Sequence, residues 1–265
     1  MIPGEAFEID ACNYLNNTYG SDKVSFRRMG GMDSTVSDIA AVINGQTAFF
    51  IEAKDTGAQS GQFVLFPDEA NRTFNFSNDN KSVRNVFTDA IAEVMKRDFD
   101  RFSKVGTADM NIGIDSNVCS QWITGHYAQK NVRFFITKYG ESFVIFPLRR
   151  FMNYFNIEAN YRKKGSGSGS LPICLREELK NHITTLYPSA SFRIEGKRLI
   201  AAMPAPPSGN IFQYKDLRIS FSHINGIDYE IRKLSNLKNP TVVFSIKAKA
   251  PQDPNDLSEF VRELK

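Results

Sequence analysis

The chain has 265 residues, 42% hydrophobic, 23% charged and 12% aromatic. That mixture can bury the core of one sizeable domain, or of a core domain with an added module, and it excludes a disordered chain. The net charge of +4 is a mild basic excess, compatible with a polyanionic partner if the positive charge gathers on one face.

Ala6 to Tyr19 carries Phe7, Ile9, Cys12 and Leu15 at helical spacing, with Gly20 as a stop. Val24 to Met29 reads as a strand, followed by the flexible pair Gly30-Gly31. Ser37–Ile43 and Thr47–Lys54 are two short apolar runs around Asn44-Gly45, the signature of a β-hairpin. Gln62–Pro67 and Phe74–Phe76 read as extended. Ser82 to Phe102 is the clearest helix, with a stripe of Val83, Val86, Phe87, Ala90, Val94 and Phe99 and Ser82 as its cap. A second helix is expected over Asn117–Lys130, with Val118, Trp122 and Ile123 inward. Val132–Thr137 and Ser142–Leu148 are near-continuous apolar runs, expected at the centre of a covered sheet, and Pro147–Phe155 turns into a short helix. Gly165–Ser170 (GSGSGS) reads as a flexible break. Beyond it come a helix over Arg176–Leu186, the strands SFRIEG, LRISFS and TVVFSIKAK, and a charged C-terminal helix. The expected fold is therefore α/β: a core over residues 1–164 and a β-rich C-terminal module over 165–265.

The three cysteines (Cys12, Cys119 and Cys174) are scattered and form no C-x-x-C pair. Neither a disulfide framework nor a structural zinc site has support, and a reducing cytoplasm fits best. The N-terminal MIPGEAFEID lacks a basic-then-apolar leader, and no apolar run is long enough to cross a bilayer, so no membrane partner is expected. His126, His182 and His223 are isolated, with no H-N-H cluster or H-E-x-x-H pair, and no phosphate-binding G-x-x-x-x-G-K-[ST] loop is present.

Chemistry concentrates between Ser34 and Lys54, in STVSDIAAVINGQTAFFIEAK. Glu52 and Lys54 lie two apart on one strand and share a face. A hairpin brings that face beside Asp38, so two carboxylates and an ammonium converge where a hard, oxygen-seeking cation can bind. Phosphodiester hydrolysis uses such a set: carboxylates hold Mg²⁺, with Mn²⁺ able to substitute, and a fixed lysine orients water or meets developing charge. The backbone carbonyl of Ala53 is a further candidate ligand. E-x-K alone occurs often on solvent-facing strands. FFIEAK instead sets both charges directly after a wholly apolar run.

The stretch resembles the PD-(D/E)XK nucleases, and within them the HhaI-type type II restriction endonucleases. The resemblance is carried by ordered blocks: YLNNTYG, DSTVSDI, FFIEAK, QSGQFVLFP, NDNKS, VRFFITKYGESFVIFP and YFNIEANYRKKGSGS. They cover roughly the first 170 residues, and the remainder is similar only at KLSN and VVFSI. The resemblance implies a mixed central sheet flanked by helices, with Asp38 and Glu52 as metal ligands and Lys54 as the catalytic lysine. It also implies that Glu8 helps to hold a second metal or water, with a solvated helix charge as the equal alternative. Gln59 and Gln62 fall where many such nucleases place a glutamine near the active site, and Gln62 is the stronger candidate. The Gly-Ser run is longer than the family leads one to expect.

Arg27-Arg28 and Arg149-Arg150 read as solvated surface. Arg162, Lys163, Lys164 and Ser166 read instead as a DNA contact, because Gly and Ser allow close backbone approach while Arg and Lys supply countercharge. Arg193, Lys197, Arg198 and Lys215 are candidates for base reading, with nothing to select among them. The implied activity is Mg²⁺-dependent cleavage of double-stranded DNA at a short site, GCGC by resemblance, in a cell that also carries a cognate DNA methyltransferase. The competing readings are a less specific or structure-selective nuclease and a DNA-binding protein with a vestigial site. The oligomeric state stays open.

Overall fold

The structure, a computed structural model, describes residues 3–29, 37–165, 167–209 and 211–265. In chain order come α1 (Pro3–Tyr19), β1 (Val24–Arg28), β2 (Ile39–Ile43), β3 (Gln46–Ala53), β4 (Gln59–Asp68) and β5 (Thr73–Phe76). Next are α2 (Val86–Arg97), α3 (Phe99–Phe102), β6 (Met110–Asn111), α4 (Ser116–Ala128), β7 (Val132–Tyr139), β8 (Ser142–Pro147) and α5 (Phe151–Tyr154). Then follow β9 (Phe155–Gly165), β10 (Ser168–Ser170), α6 (Arg176–Leu186), β11 (Ser191–Glu195) and β12 (Arg198–Ala202). The chain closes with β13 (Ile211–Tyr214), β14 (Leu217–Asn225), β15 (Asp228–Leu234), β16 (Lys238–Ala248) and α7 (Pro254–Glu263).

Two compact units result. The first joins Met1–Lys163 to Pro240–Lys265, and the second is Lys164–Asn239. The first holds a mixed sheet ordered β1-β2-β3-β7-β8, in which β3 and β7 run parallel and the other neighbours antiparallel. One face packs Phe7 and Leu15 of α1 and Phe260 of α7 against Phe26, Phe49, Ile51 and Phe134. The other face meets α2, α4 and a second sheet, β5-β4-β16-β9-β6, around Trp122, Phe63, Ile91, Met95, Phe135 and Phe244. Each buried ring of this kind contributes about 1.5–3 kcal/mol, so the apolar runs fix which strand faces which layer. The second unit is an antiparallel sheet, β11-β12-β15-β14-β13 with β10 also on β15, its core built from Leu199, Ile219, Phe221 and Ile231 with Leu179 and Ile183 of α6.

Amide side chains finish the edges of the mixed sheet. Asn16 of α1 accepts from Phe26 N (2.9 Å) and donates to Phe26 O (2.8 Å), which ties the helix to β1. Gln252 does the same to Ile145 of β8 (2.7 and 2.8 Å). Each occupies backbone groups that an open strand would offer to another chain.

Several expectations need correction. The helix expected over Ser82–Phe102 starts at Val86 and breaks at Asp98, whose φ/ψ of −121/49 is not helical. Its cap is Asn85, whose Oδ1 accepts from Phe87 N and Thr88 N, and Ser82 is not the cap. Val83 and Val86 of the expected stripe are exposed, and the buried face is Thr88, Ile91 and Met95. Strand β8 lies at the end of its sheet order, not the centre; α7 packs against it. Much of the Gly-Ser run is strand: β9 continues through Gly165 and β10 pairs with β15, where Arg232 Nη2 donates to Ser168 O (2.8 Å). The module expected to reach the C-terminus ends at Asn239, because β16 inserts between β4 and β9 and Phe260 fills the core of the first unit.

Candidate active site

Strands β2 and β3 meet through Asn44-Gly45, both left-handed (φ 51° and 80°), the two-residue turn that a twisted hairpin prefers. Ile39 pairs with Ile51, so Asp38 falls opposite Glu52. Ile51 and Ala53 point to the layer of α1 and α7, and strand alternation turns Glu52 and Lys54 to the opposite face.

There the three side chains meet. Lys54 Nζ lies 2.6 Å from Glu52 Oε1 and 3.0 Å from Asp38 Oδ2, which also accepts from Ala53 N at 3.0 Å. Lys54 N donates to Ile136 O (3.0 Å) and Met29 N to Asp38 O (2.9 Å), so neighbouring strands hold the backbone on both sides. Side-chain exposure is 5% for Glu52, 12% for Asp38 and 18% for Lys54. Burial pushes the Glu52 carboxyl up to about 7; the Lys54 charge opposes the rise and Asp38 adds to it. For Lys54, burial works against the charged form, but Glu52, Tyr127 and Asp38 together outweigh it and hold the ammonium well above the usual range.

Glu52 Oε2 is buried and takes part in no hydrogen bond. A shut-in carboxylate oxygen without a partner costs free energy of order 1–3 kcal/mol, and a hard cation is the natural partner for it. Among the described residues no cluster of three or more His, Cys, Asp or Glu side chains is placed as a metal site. The fitting donor set is therefore Asp38 and Glu52, with backbone, phosphate and water oxygens making up the remainder.

The other candidates are placed as follows. Glu8 on α1 feels the charge of Asp38, and its carboxyl is raised chiefly by burial. It accepts from Arg28 Nε at 3.3 Å, while Arg28 also reaches Glu5. Gln62 is exposed on β4 opposite Val243, and Gln59 is half-buried. Ser60, buried on the same strand, lies beside the Tyr127 hydroxyl. Arg162 pairs with Asp109 (3.2 Å), Lys163 is exposed and Lys164 half-exposed; Ser166 lies outside the described residues. Many other basic candidates are also paired: Arg149 with Glu259, Arg150 with Asp256, Arg193 with Asp228, Arg198 with Glu230 and Lys215 with Glu178. Sequence reasoning missed Tyr127 and Lys130, which share the electrostatic environment of the triplet. Their only sequence signal is position, at the end of α4 just before β7.

No protein-family model and no curated protein matches the chain. A solved structure does, the HhaI endonuclease in complex with DNA. It is 33% identical to this chain, with 98% of each chain covered and a TM-score of 0.76. The mixed sheet, its helices and the convergent charged triplet thus lie on an endonuclease fold. The chain belongs to the family of the HhaI endonuclease.

Proposed function

We propose that this chain is a type II restriction endonuclease that hydrolyses both strands of duplex DNA at a short site with Mg²⁺. The observation that carries the reading is the buried Glu52, its Oε2 without a hydrogen bond, held beside Asp38 and Lys54. Family membership supports DNA as the substrate, since the related endonuclease was solved with DNA. GCGC is the proposed site, from the family resemblance, and a cognate methyltransferase would protect the host.

Asp38 and Glu52 would hold the cation, with the Ala53 carbonyl as a third protein ligand. Mg²⁺ held there, or Mn²⁺ in its place, would supply Lewis-acid polarisation of the scissile phosphate and a nucleophilic water near neutral pH. Before substrate arrives, Lys54 screens the two carboxylates from each other at 2.6 and 3.0 Å. With a phosphate in place its ammonium orients the attacking water and meets the charge growing on the phosphoryl oxygens. The N–H of Ala53 keeps Asp38 Oδ2 aimed throughout. Glu8 would act at longer range, on a second ion or water, and Gln62 at the edge of the cleft. Arg162, Lys163 and Lys164, with Ser166, would countercharge the DNA backbone, Arg162 exchanging Asp109 for a phosphate.

Digestion of a sequenced plasmid with Mg²⁺, followed by run-off mapping of the ends, tests the reading. Discrete fragments ending at one short sequence are expected. Asp38→Ala and Lys54→Ala should lose cutting by at least roughly 10²-fold while still binding duplex DNA. A smear, branch-dependent cutting or undiminished cleavage by either variant would overturn the assignment.

A further inference from the structure

We infer that Ser37 is a positioning residue for Asp38. Its hydroxyl pins the mouth of β2 to the turn between α4 and β7, and so sets the spacing of the two carboxylates. The inference deepens the nuclease reading above and rests on it.

Asp38 stands one residue before β2 begins, and chain segments fray where strand pairing stops. Toward β1 its carbonyl accepts from Met29 N at 2.9 Å, and toward β3 its Oδ2 accepts from Ala53 N at 3.0 Å. Neither contact holds the residue that precedes it. The Ser37 hydroxyl does so. Ser37 is 2% exposed, and its Oγ donates to the Lys130 carbonyl at 3.3 Å.

That carbonyl sits on a fixed base. Lys130 N donates to Tyr127 O and Asn131 N to Ala128 O, each at 3.0 Å, and Asn131 takes φ 57°, so the chain leaves α4 in a tight reversal. Behind the turn Trp122, Ile123 and Tyr127 are buried, and Trp122 Nε1 donates to Thr88 Oγ1 at 3.0 Å. The next carbonyl, of Asn131, accepts from Phe50 N at 3.4 Å, two residues before Glu52. Two successive carbonyls of one turn therefore receive a donor from each side of the β2–β3 hairpin. One donor adjoins Asp38 and the other lies two residues from Glu52. A single anchored turn thus governs how far apart the carboxylates stand, at the point where β2 pairing has run out. Serine suits the task because its hydroxyl is a short, neutral donor. Alanine offers no donor there, and a carboxylate would repel the carbonyl oxygen.

The test compares Ser37→Ala with wild type by two measurements. The first is amide hydrogen exchange, followed by NMR without divalent metal. Ala53 N–H, which donates to Asp38 Oδ2, should exchange about tenfold faster in the variant. Ile145 N–H, which donates to Gln252 on β8, should keep its rate. The second is single-turnover cleavage of a duplex carrying GCGC over a Mg²⁺ series. The Mg²⁺ concentration giving half the maximal rate should rise about tenfold or more, the usual effect of losing a contact that orients a metal ligand. That rise should exceed the loss in maximal rate. A serine that merely stabilises the fold would quicken both amides alike and leave the Mg²⁺ requirement where it was. Such a result overturns the inference, as does an unchanged Ala53 amide, or an unchanged Mg²⁺ requirement when wild type cuts. If wild type fails to cut but the Ala53 amide alone quickens in Ser37→Ala, the nuclease reading falls and the positioning of Asp38 stands. If wild type cuts and neither measurement moves, the reverse follows.

Discussion

Removing the Glu52 carboxylate from water raises its pKa to about 7, with Lys54 opposing the rise and Asp38 adding to it. The ordinary value is 4.5, so between the two the folded chain binds a proton that the unfolded chain has released. Stability contributed by the neutral acid is therefore full at low pH and is lost as pH climbs toward the folded value. Glu52→Gln keeps the neutral form at every pH. Its stability relative to wild type, without divalent metal, should improve by up to ~3 kcal/mol between about pH 5 and pH 8. Urea unfolding at a series of pH values measures this, and a constant offset between the two proteins would disprove it. A cation reverses the balance, since loading the site must expel that proton, so apparent Mg²⁺ affinity should rise through the same pH window. Much of this site is legible in the chain. The strand period puts Glu52 and Lys54 on one face and Asn44-Gly45 closes the hairpin, but the one-residue bulge between Thr47 and Phe49, which brings Asp38 opposite Glu52 instead of Ile51, is not announced by the sequence. Tyr127 and Lys130 are not legible, because only the folded chain shows that the end of α4 lies beside the segment carrying Asp38.

Strand β4 carries a bulge where Ser60 and Gly61 together oppose Phe244: Gln62 pairs with Val243, but Gln59 pairs with Ser245. Gly61 has φ +104°, and a Cβ there would sit 2.6 Å from Cζ3 of Trp122. That ring is fully buried and anchored by Nε1 donating to Thr88 Oγ1 at 3.0 Å, so it has little room to retreat. Gly61→Ala therefore combines backbone strain with overpacking and should cost roughly 2–4 kcal/mol. Chemical denaturation checks it, and a loss under about 0.5 kcal/mol, the level of an ordinary surface change, would contradict the account. The sequence announces the strand through QFVLFP but not the bulge, since an isolated glycine in a strand has several uses. Helix α2 shows the same limit. The apolar residues from Val83 to Phe99 form a plausible single stripe, yet Asn85 caps inside it and Asp98 breaks it. Local side chain–backbone bonds decide helix ends, and hydrophobic spacing does not report them.

The return of the C-terminus to the first unit is the part of the architecture that chain order conceals. A boundary near the Gly-Ser run is visible from composition, and the second unit does begin at Lys164. Nothing local in TVVFSIKAK says that it pairs with β4 rather than with the strands preceding it, because strand partners are chosen by long-range closure. The outcome is that β16 occupies the middle of the second sheet, with fully buried Val242, Phe244 and Ile246 facing the cluster around Trp122. Helix α7 then brings Phe260 into ring contact with Phe26, Phe49 and Phe134 on the far face of the mixed sheet. Both layers of the core that carries Asp38, Glu52 and Lys54 thus depend on residues 240–265. A chain ending at Asn239 would leave β4 and β9 without the strand between them and open a cavity where Phe260 sits. Loss of one such ring alone costs about 3–5 kcal/mol, comparable with the total stability of many domains. The truncated chain should therefore be insoluble, or soluble without a cooperative thermal transition, and should not cut DNA. Phe260→Ala should melt well below wild type while keeping its cutting pattern at low temperature. A soluble, cooperatively melting chain of residues 1–239 would show that the mixed sheet folds without the C-terminal strand and helix, and would refute this division of the molecule.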